Sequence, residues 1–220
     1  MNAGKRSAGW PCAGDDPLIQ GQEDSTTQHS GGIDQRAAPR IALMLRVGKL
    51  RMAQGEFLCV VRDASASGIK LKLFHPLPEQ GRCELELGTG DRYELDFVWE
   101  RDGHAGFAFR RGAIDLGDLI SETAPHRRRH LRLRFDRPVT FIQDGEPRQA
   151  TLCDLSQHGA MIDYGERLPL GLALALEGDG LPALEGRVRW RLGRAHGLVF
   201  QRSFRLDELA MLAASLQGMR

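Results

Sequence analysis

Six arginines and a single acid, Asp136, stand within the twelve residues from His126 to Arg137, HRRRHLRLRFDR. A guanidinium group grips phosphate through paired hydrogen bonds, reads the O6 and N7 acceptors of guanine and stacks on a purine face. A second chemical element follows in CDLSQHG, where Asp154, Ser156 and Gly159 form the pattern DxSxxG. There the carboxylate can accept hydrogen bonds from N–H donors, the hydroxyl can shape the loop, and glycine supplies a positive φ or room for close approach. Arginine on one edge of a guanine and carboxylate on the other would make a purine-specific clamp. Taken singly, both elements have plain structural readings, because charge runs are usually solvated and Asp, Ser and Gly are ordinary turn residues.

Both elements occur twice. Asp63, Ser65 and Gly68 in RDASASG precede Asp154, Ser156 and Gly159 by 91 positions each, and Arg36 and Arg40 in RAAPR precede Arg128 and Arg132 by 92. Trp99, Gly106 and Phe109 likewise precede Trp190, Gly197 and Phe200 by 91. A period this long is a whole domain, too long for a solenoid unit. The chain therefore reads as a tandem duplication of one β domain of about 90 residues.

The elements that must position these residues are short apolar runs broken by Gly, Pro and Asp. IALMLRVGKL, EFLCVVRD, GIKLKLF, RCELELG, RYELDFVWE and HAGFAFR make the first series. LRFDRPVTFIQ, RQATLCDLS, GAMIDYG, LALALEG, LEGRVRWRL and AHGLVFQ make the second. Their lengths and breaks predict antiparallel strands of a small barrel or sandwich. AIDLGDLIS offers a helical turn or two. LDELAMLAASLQGM predicts a C-terminal helix, with Asp207 as cap and Leu206, Leu209, Leu212 and Leu216 on one face. Residues 1–34, rich in Gly, Ser, Gln, Asp and Thr, predict a disordered tail. The expected domains are thus 1–34, 35–123 and 124–220.

Composition narrows the chemistry. The formal net charge is +1, and 26 of the 30 basic residues are Arg. No apolar run long enough for a transmembrane helix exists and the N-terminus lacks the apolar core of a secretory signal, so a cytoplasmic protein without membrane insertion is expected. Cys12, Cys59, Cys83 and Cys153 are widely spaced without a CxxC pair, which argues against zinc and disulfides and for small buried side chains. Cys153, Asp154, Ser156 and His158 crowd together, yet neighbours on a strand point to opposite faces, and the first copy has Ser67 where His158 would be needed. No catalytic residue and no metal ligand is assigned. Near-neutral charge, few aromatics and no recognition-helix pattern argue against nucleic acid as partner. Trp99 and Trp190 read as core or rim aromatics, with a platform for a guanine face as the alternative.

RxxxR before the first strand, then DxSxxG some 22 residues further on, in a small β-barrel, resembles the PilZ domain family. The resemblance implies an all-β chain of two tandem six-stranded antiparallel barrels, the second followed by the C-terminal helix. It implies a non-enzymatic receptor for the bacterial second messenger cyclic di-GMP, with no other cofactor. In the second copy Arg128 and Arg132 would bind phosphate and guanine with Arg127 or Arg129 in support. Asp154 and Ser156 would take the Watson–Crick edge, and Gly159 would let the loop approach. The same roles would pass to Arg36, Arg40, Asp63, Ser65 and Gly68. The first copy departs from the pattern with Gln35 and Ala37 where the second has Arg127 and Arg129, a gap that Arg62 would fill. Ligand capture would rearrange the domains and regulate a protein partner in motility, polysaccharide or pilus machinery. The alternative is an adaptor in which one or both sites bind no nucleotide.

Salt separates the ligand classes. A fourfold rise in salt should weaken a ligand with two phosphates by only about tenfold, whereas duplex binding through six or more phosphates falls by about a thousandfold or more.

Overall fold

The computed structural model describes residues 41–120 and 131–219. The expected N-terminal tail lies outside them, as do Arg36, Arg40, Arg127, Arg128, Arg129 and Cys12. Six strands form the first unit: β1 (Ile41–Met52), β2 (Gly55–Ala64), β3 (Gly68–Leu73), β4 (Arg82–Leu87), β5 (Arg92–Arg101) and β6 (His104–Phe109), followed by one turn of helix, α1 (Leu116–Ile120). Six more follow: β7 (Leu133–Gln143), β8 (Glu146–Ser156), β9 (Gly159–Asp163), β10 (Ala173–Gly178), β11 (Leu181–Leu192) and β12 (Ala195–Phe200), then α2 (Leu206–Leu216). Each set closes into an antiparallel barrel, in the orders β1-β2-β3-β6-β5-β4 and β10-β11-β12-β9-β8-β7. Closure pairs β1 with β4 and β7 with β10, so neither sheet presents an open edge.

Local sequence explains the strands and their reversals. In β3, Ile69, Leu71 and Leu73 are buried while Lys70 and Lys72 face outward, the period of two that a half-buried strand requires. Asp102-Gly103 and Asp144-Gly145 join β5 to β6 and β7 to β8 with positive φ at both residues, 50° and 66° in one and 53° and 81° in the other. Those values belong to the tight hairpin turn whose twist matches that of the flanking strands.

Three bulges recur at equivalent places in the two barrels, and they decide which side chains leave the core. Ala150 and Leu152 of β8 are buried, and strict alternation would send Asp154 inward after them. The register shifts between Leu152 and Asp154, so Leu155 takes the inward place and Asp154 emerges. In β2 the shift between Val61 and Asp63 does the same, with Ala64 buried in place of Asp63. Shifts between Phe97 and Trp99, and between Val188 and Trp190, turn both tryptophans onto the outer face. The third pair of shifts lies between Ala42 and Arg46 and between Arg134 and Arg137. The tryptophans are therefore rim residues. Each lies across a glycine of the adjacent strand: a Cβ built on Gly106 or Gly197 would stand 2.1 or 2.0 Å from the indole Nε1 of Trp99 or Trp190.

Cys59 and Cys83 are buried in the first barrel, as expected, and desolvation pushes the Cys83 thiol up to about 12 and raises that of Cys59 as well. Leu209, Ala210, Ala213 and Leu216 of α2 are buried against the second barrel, with Leu206 and Leu212 packed beside them. The cap differs from expectation. Arg205 is the N-cap, its backbone N–H donating to Glu208 Oε2 at 3.0 Å, and Asp207 sits in the first turn, where a carboxylate favours the helix dipole. The cluster around α2 also takes in Leu58, Val47 and Phe74 of the first barrel, so one apolar core crosses between the two.

Gly197→Ala should cost about 1–3 kcal/mol through collision with the indole. In a Trp190→Ala background the cost should shrink, with a coupling of at least about 0.5 kcal/mol in urea unfolding. Additive costs would show that the indole has somewhere else to go.

Candidate ligand-binding face

The structure brings the described motif residues of the second barrel to one rim. Arg132, immediately before β7, donates from one guanidinium nitrogen to Asp154 Oδ1 at 2.5 Å, an ion pair in which the arginine side chain is 45% exposed and the aspartate 13%. Asp154 reaches this place because the β8 bulge turns it outward. Ser156 and Gly159 pair across the β8–β9 hairpin, where the buried Ser156 hydroxyl donates to the Gly159 carbonyl at 3.0 Å. That bond uses the hydroxyl's one donor to shape the loop and leaves its oxygen as an acceptor. Gly159 does not carry a positive φ. Its lack of a side chain matters because a Cβ there would lie 2.0 Å from the Leu198 carbonyl oxygen of β12. Gly68 has the same role in the first barrel, facing the Phe107 carbonyl at 2.7 Å, and Ser65 repeats the serine bond to Gly68 at 3.4 Å.

The hairpin is pinned from behind. Phe200 N–H donates to the His158 carbonyl at 2.9 Å, and Phe204 N–H to the Gln157 carbonyl at 2.8 Å. His158 Nδ1 and Ser203 Oγ are 2.7 Å apart. In the first barrel Phe109 and Ile114 make the equivalent backbone bonds to Ser67 and Ala66. Cys153, Asp154, Ser156 and His158 do not assemble into a nucleophile and base: Ser156 bonds Gly159, His158 bonds Ser203, and burial raises the Cys153 thiol above its ordinary value, away from the reactive thiolate.

Strand pairing links this rim to the tryptophan. Asp154 lies opposite Met161, Met161 opposite Gly197, and Gly197 opposite Trp190. The four form one row across β8, β9, β12 and β11, about 14 Å long at ordinary strand spacing. With no side chain at Gly197, the indole can lie down toward Met161. An anion-gripping arginine, a carboxylate, an apolar floor and an aromatic face therefore share one outer surface, which suits a flat base carrying both N–H donors and phosphate. The first barrel has the matching row Asp63, Lys70, Gly106 and Trp99, with a lysine at the position of Met161 and Arg101 stacked 5.3 Å from the Trp99 ring. Met161 and Lys70 were missed in the sequence. Their only signal there is a place two residues after each motif glycine, which means nothing until the bulges set the register.

Among the described residues no group of His, Cys, Asp and Glu is arranged to hold a metal ion, and no helix is long and apolar enough to cross a membrane. Residues 126–218 match the family model described as PilZ domain. Similar solved structures include the Borreliella burgdorferi PlzA protein in complex with c-di-GMP, at 16% identity, covering 78% of this chain and 87% of that one, with a TM-score of 0.33. The Bacillus subtilis inhibitor of motility MotI/DgrA is 12% identical, covering 78% and 95%, TM-score 0.33. Escherichia coli YcgR in complex with c-di-GMP is 13% identical, covering 76% and 81%, TM-score 0.27. No curated protein sequence matches the chain.

Because the Arg132 side chain is 45% exposed but Asp154 only 13%, Arg132→Ala should lower folding stability by about 1–2 kcal/mol, somewhat more than an exposed pair contributes, since a mostly buried carboxylate loses its donor. Thermal unfolding checks this, and a larger loss would mean that the arginine holds the barrel together rather than waiting for a ligand.

Proposed function

We propose that the protein is a non-enzymatic receptor for cyclic di-GMP, a reading supported by the match of residues 126–218 to the PilZ domain model. The observation that carries this reading is the ion pair of Arg132 with Asp154, which joins the two halves of the motif, 22 residues apart, at one end of a surface row that finishes on Trp190. In the unliganded protein each group neutralises the other. A guanine offers Asp154 its N1–H and N2–H donors in place of the guanidinium, and Arg132 is then released to phosphate or to the O6 and N7 edge. Arg128 joins it there, with Arg127 in support. Ser156 and Gly159 hold the hairpin that aims Asp154, and the Trp190 indole offers a stacking face.

In the first barrel Arg36, Arg40, Asp63, Ser65 and Gly68 take the same roles. Lys70 adds a cation where the second site has the apolar Met161. The barrels act as two domains, 35–123 and 124–220. Ligand drawn in by the arginine segment between them changes their relative orientation against the resistance of the shared apolar core, and the output is regulation of a protein partner in motility, polysaccharide or pilus machinery.

Calorimetric titration with cyclic di-GMP tests the reading. The wild type should bind. Arg128→Ala/Arg132→Ala should lose at least about a hundredfold in affinity, as expected for two charge-assisted contacts. Arg36→Ala/Arg40→Ala should remove the first site only. Absence of binding by the wild type would favour an adaptor that works through protein contacts alone. Small-angle scattering that is unchanged at saturating ligand would remove the reorientation.

A further inference from the structure

Three charged side chains of the first barrel, Lys49, Glu56 and Glu86, are buried together where the second barrel begins. Lys49 on β1 and Glu56 on β2 are 3% and 7% exposed. Lys49 Nζ lies 3.0 Å from Glu56 Oε2 and 3.6 Å from Glu86 Oε2, and it donates to the backbone carbonyl of Arg132 at 2.9 Å. Glu56 Oε2 also accepts the backbone N–H of Arg134 at 2.8 Å. The backbone on both sides of Leu133, itself fully buried, is thus gripped by first-barrel charges, while the Arg132 side chain reaches across to Asp154. Gln217, just beyond α2, closes the joint: its Oε1 accepts the Glu56 N–H at 2.5 Å and its Nε2 donates to the Glu56 carbonyl at 2.8 Å.

The dependence runs both ways. A buried ammonium group is tolerated only when its donors meet acceptors, and the Arg132 carbonyl is one of three oxygens around Lys49. Moving that carbonyl would leave a charged donor unsatisfied in a place of low dielectric, where the loss is large. The direction in which the Arg132 side chain leaves the backbone is therefore set by the first barrel.

We propose that Lys49 and Glu56 are positioning residues for the nucleotide site of the second barrel, holding the Arg132 backbone so that its guanidinium meets Asp154 and the ligand. The ligand in this inference rests on the cyclic di-GMP reading; the positioning rests on the joint alone.

The test uses the full chain and the variant Lys49→Met/Glu56→Met, which removes one charge of each sign at similar volume, beside Leu71→Ala, which damages the first-barrel core on β3, a strand paired with neither β1 nor β4. Two quantities are read: hydrogen exchange of the Arg134 amide without ligand, and calorimetric affinity for cyclic di-GMP. The joint variant should exchange faster at Arg134 and bind about tenfold more weakly, a change of about 1.4 kcal/mol. Leu71→Ala, though less stable, should leave both near wild type. Unchanged exchange at Arg134 overturns the inference, as does wild-type affinity in the joint variant. Faster exchange in a protein whose wild type binds no cyclic di-GMP supports the positioning and overturns the proposed ligand. Should the double variant not fold, Lys49→Gln keeps a donor for the Arg132 carbonyl and should bind more tightly than Lys49→Met; equal affinity of those two overturns the inference.

Discussion

An ammonium group withdrawn from water must be surrounded by oxygen, and Lys49 meets this demand with acceptors from both halves of the chain. Glu56 and Glu86 come from its own barrel and the Arg132 carbonyl from the next. Neither barrel completes the set alone. A solvated surface pair would contribute little to holding two domains together, but here the alternative to the contact is a stranded charge, and the cost of that is steep. The apolar contribution of Leu58, Val47 and Phe74 to the second core fills the space around this joint, so the charged cluster sets position and the hydrophobic contacts seal it from water.

The same economy of position governs the candidate ligand face. Four side chains that a strict alternation would send inward, Asp63 and Asp154, Trp99 and Trp190, are turned out by bulges at equivalent points of the two barrels. Glycines then make room: Gly159 for a carbonyl of the neighbouring strand, Gly197 for an indole. In this fold a recognition surface needs no long loop. It is built on the barrel wall by single-residue slips in register, on strands whose opposite face is already fixed by the core.

How much of this could be read from the chain follows from the range of the interactions. The strands were legible because Ile69, Leu71 and Leu73 alternate with lysines inside six residues, and the C-terminal helix because Leu209 and Leu216 fall on one face. The repeat was legible because the motif residues keep a constant offset. The bulges were not, since a register shift is a property of two paired strands, and the segment around Asp154 reads the same with or without one. That is why Gly68 and Gly159 looked like turn formers, when their missing side chains leave room for a carbonyl of the neighbouring strand. Lys49 and Glu56 were invisible for a related reason: each occupies an outward position that in an isolated barrel faces solvent, and only the second barrel buries them.

Glu56 and Gln217 are 161 residues apart, yet they exchange a reciprocal pair of hydrogen bonds. During synthesis at about 5–20 residues per second, roughly 8–30 s separate the appearance of the two. The strands of the first barrel are all made before that interval is half over, so its closure need not wait, but the outer face carrying Lys49 and Glu56 has to stay hydrated until the far end of the chain arrives. Charge on that face is well suited to the delay. The lysine and the glutamates are at ease in water during that wait and limit the sticky area of the face to Leu58, Val47 and Phe74, which the second core covers.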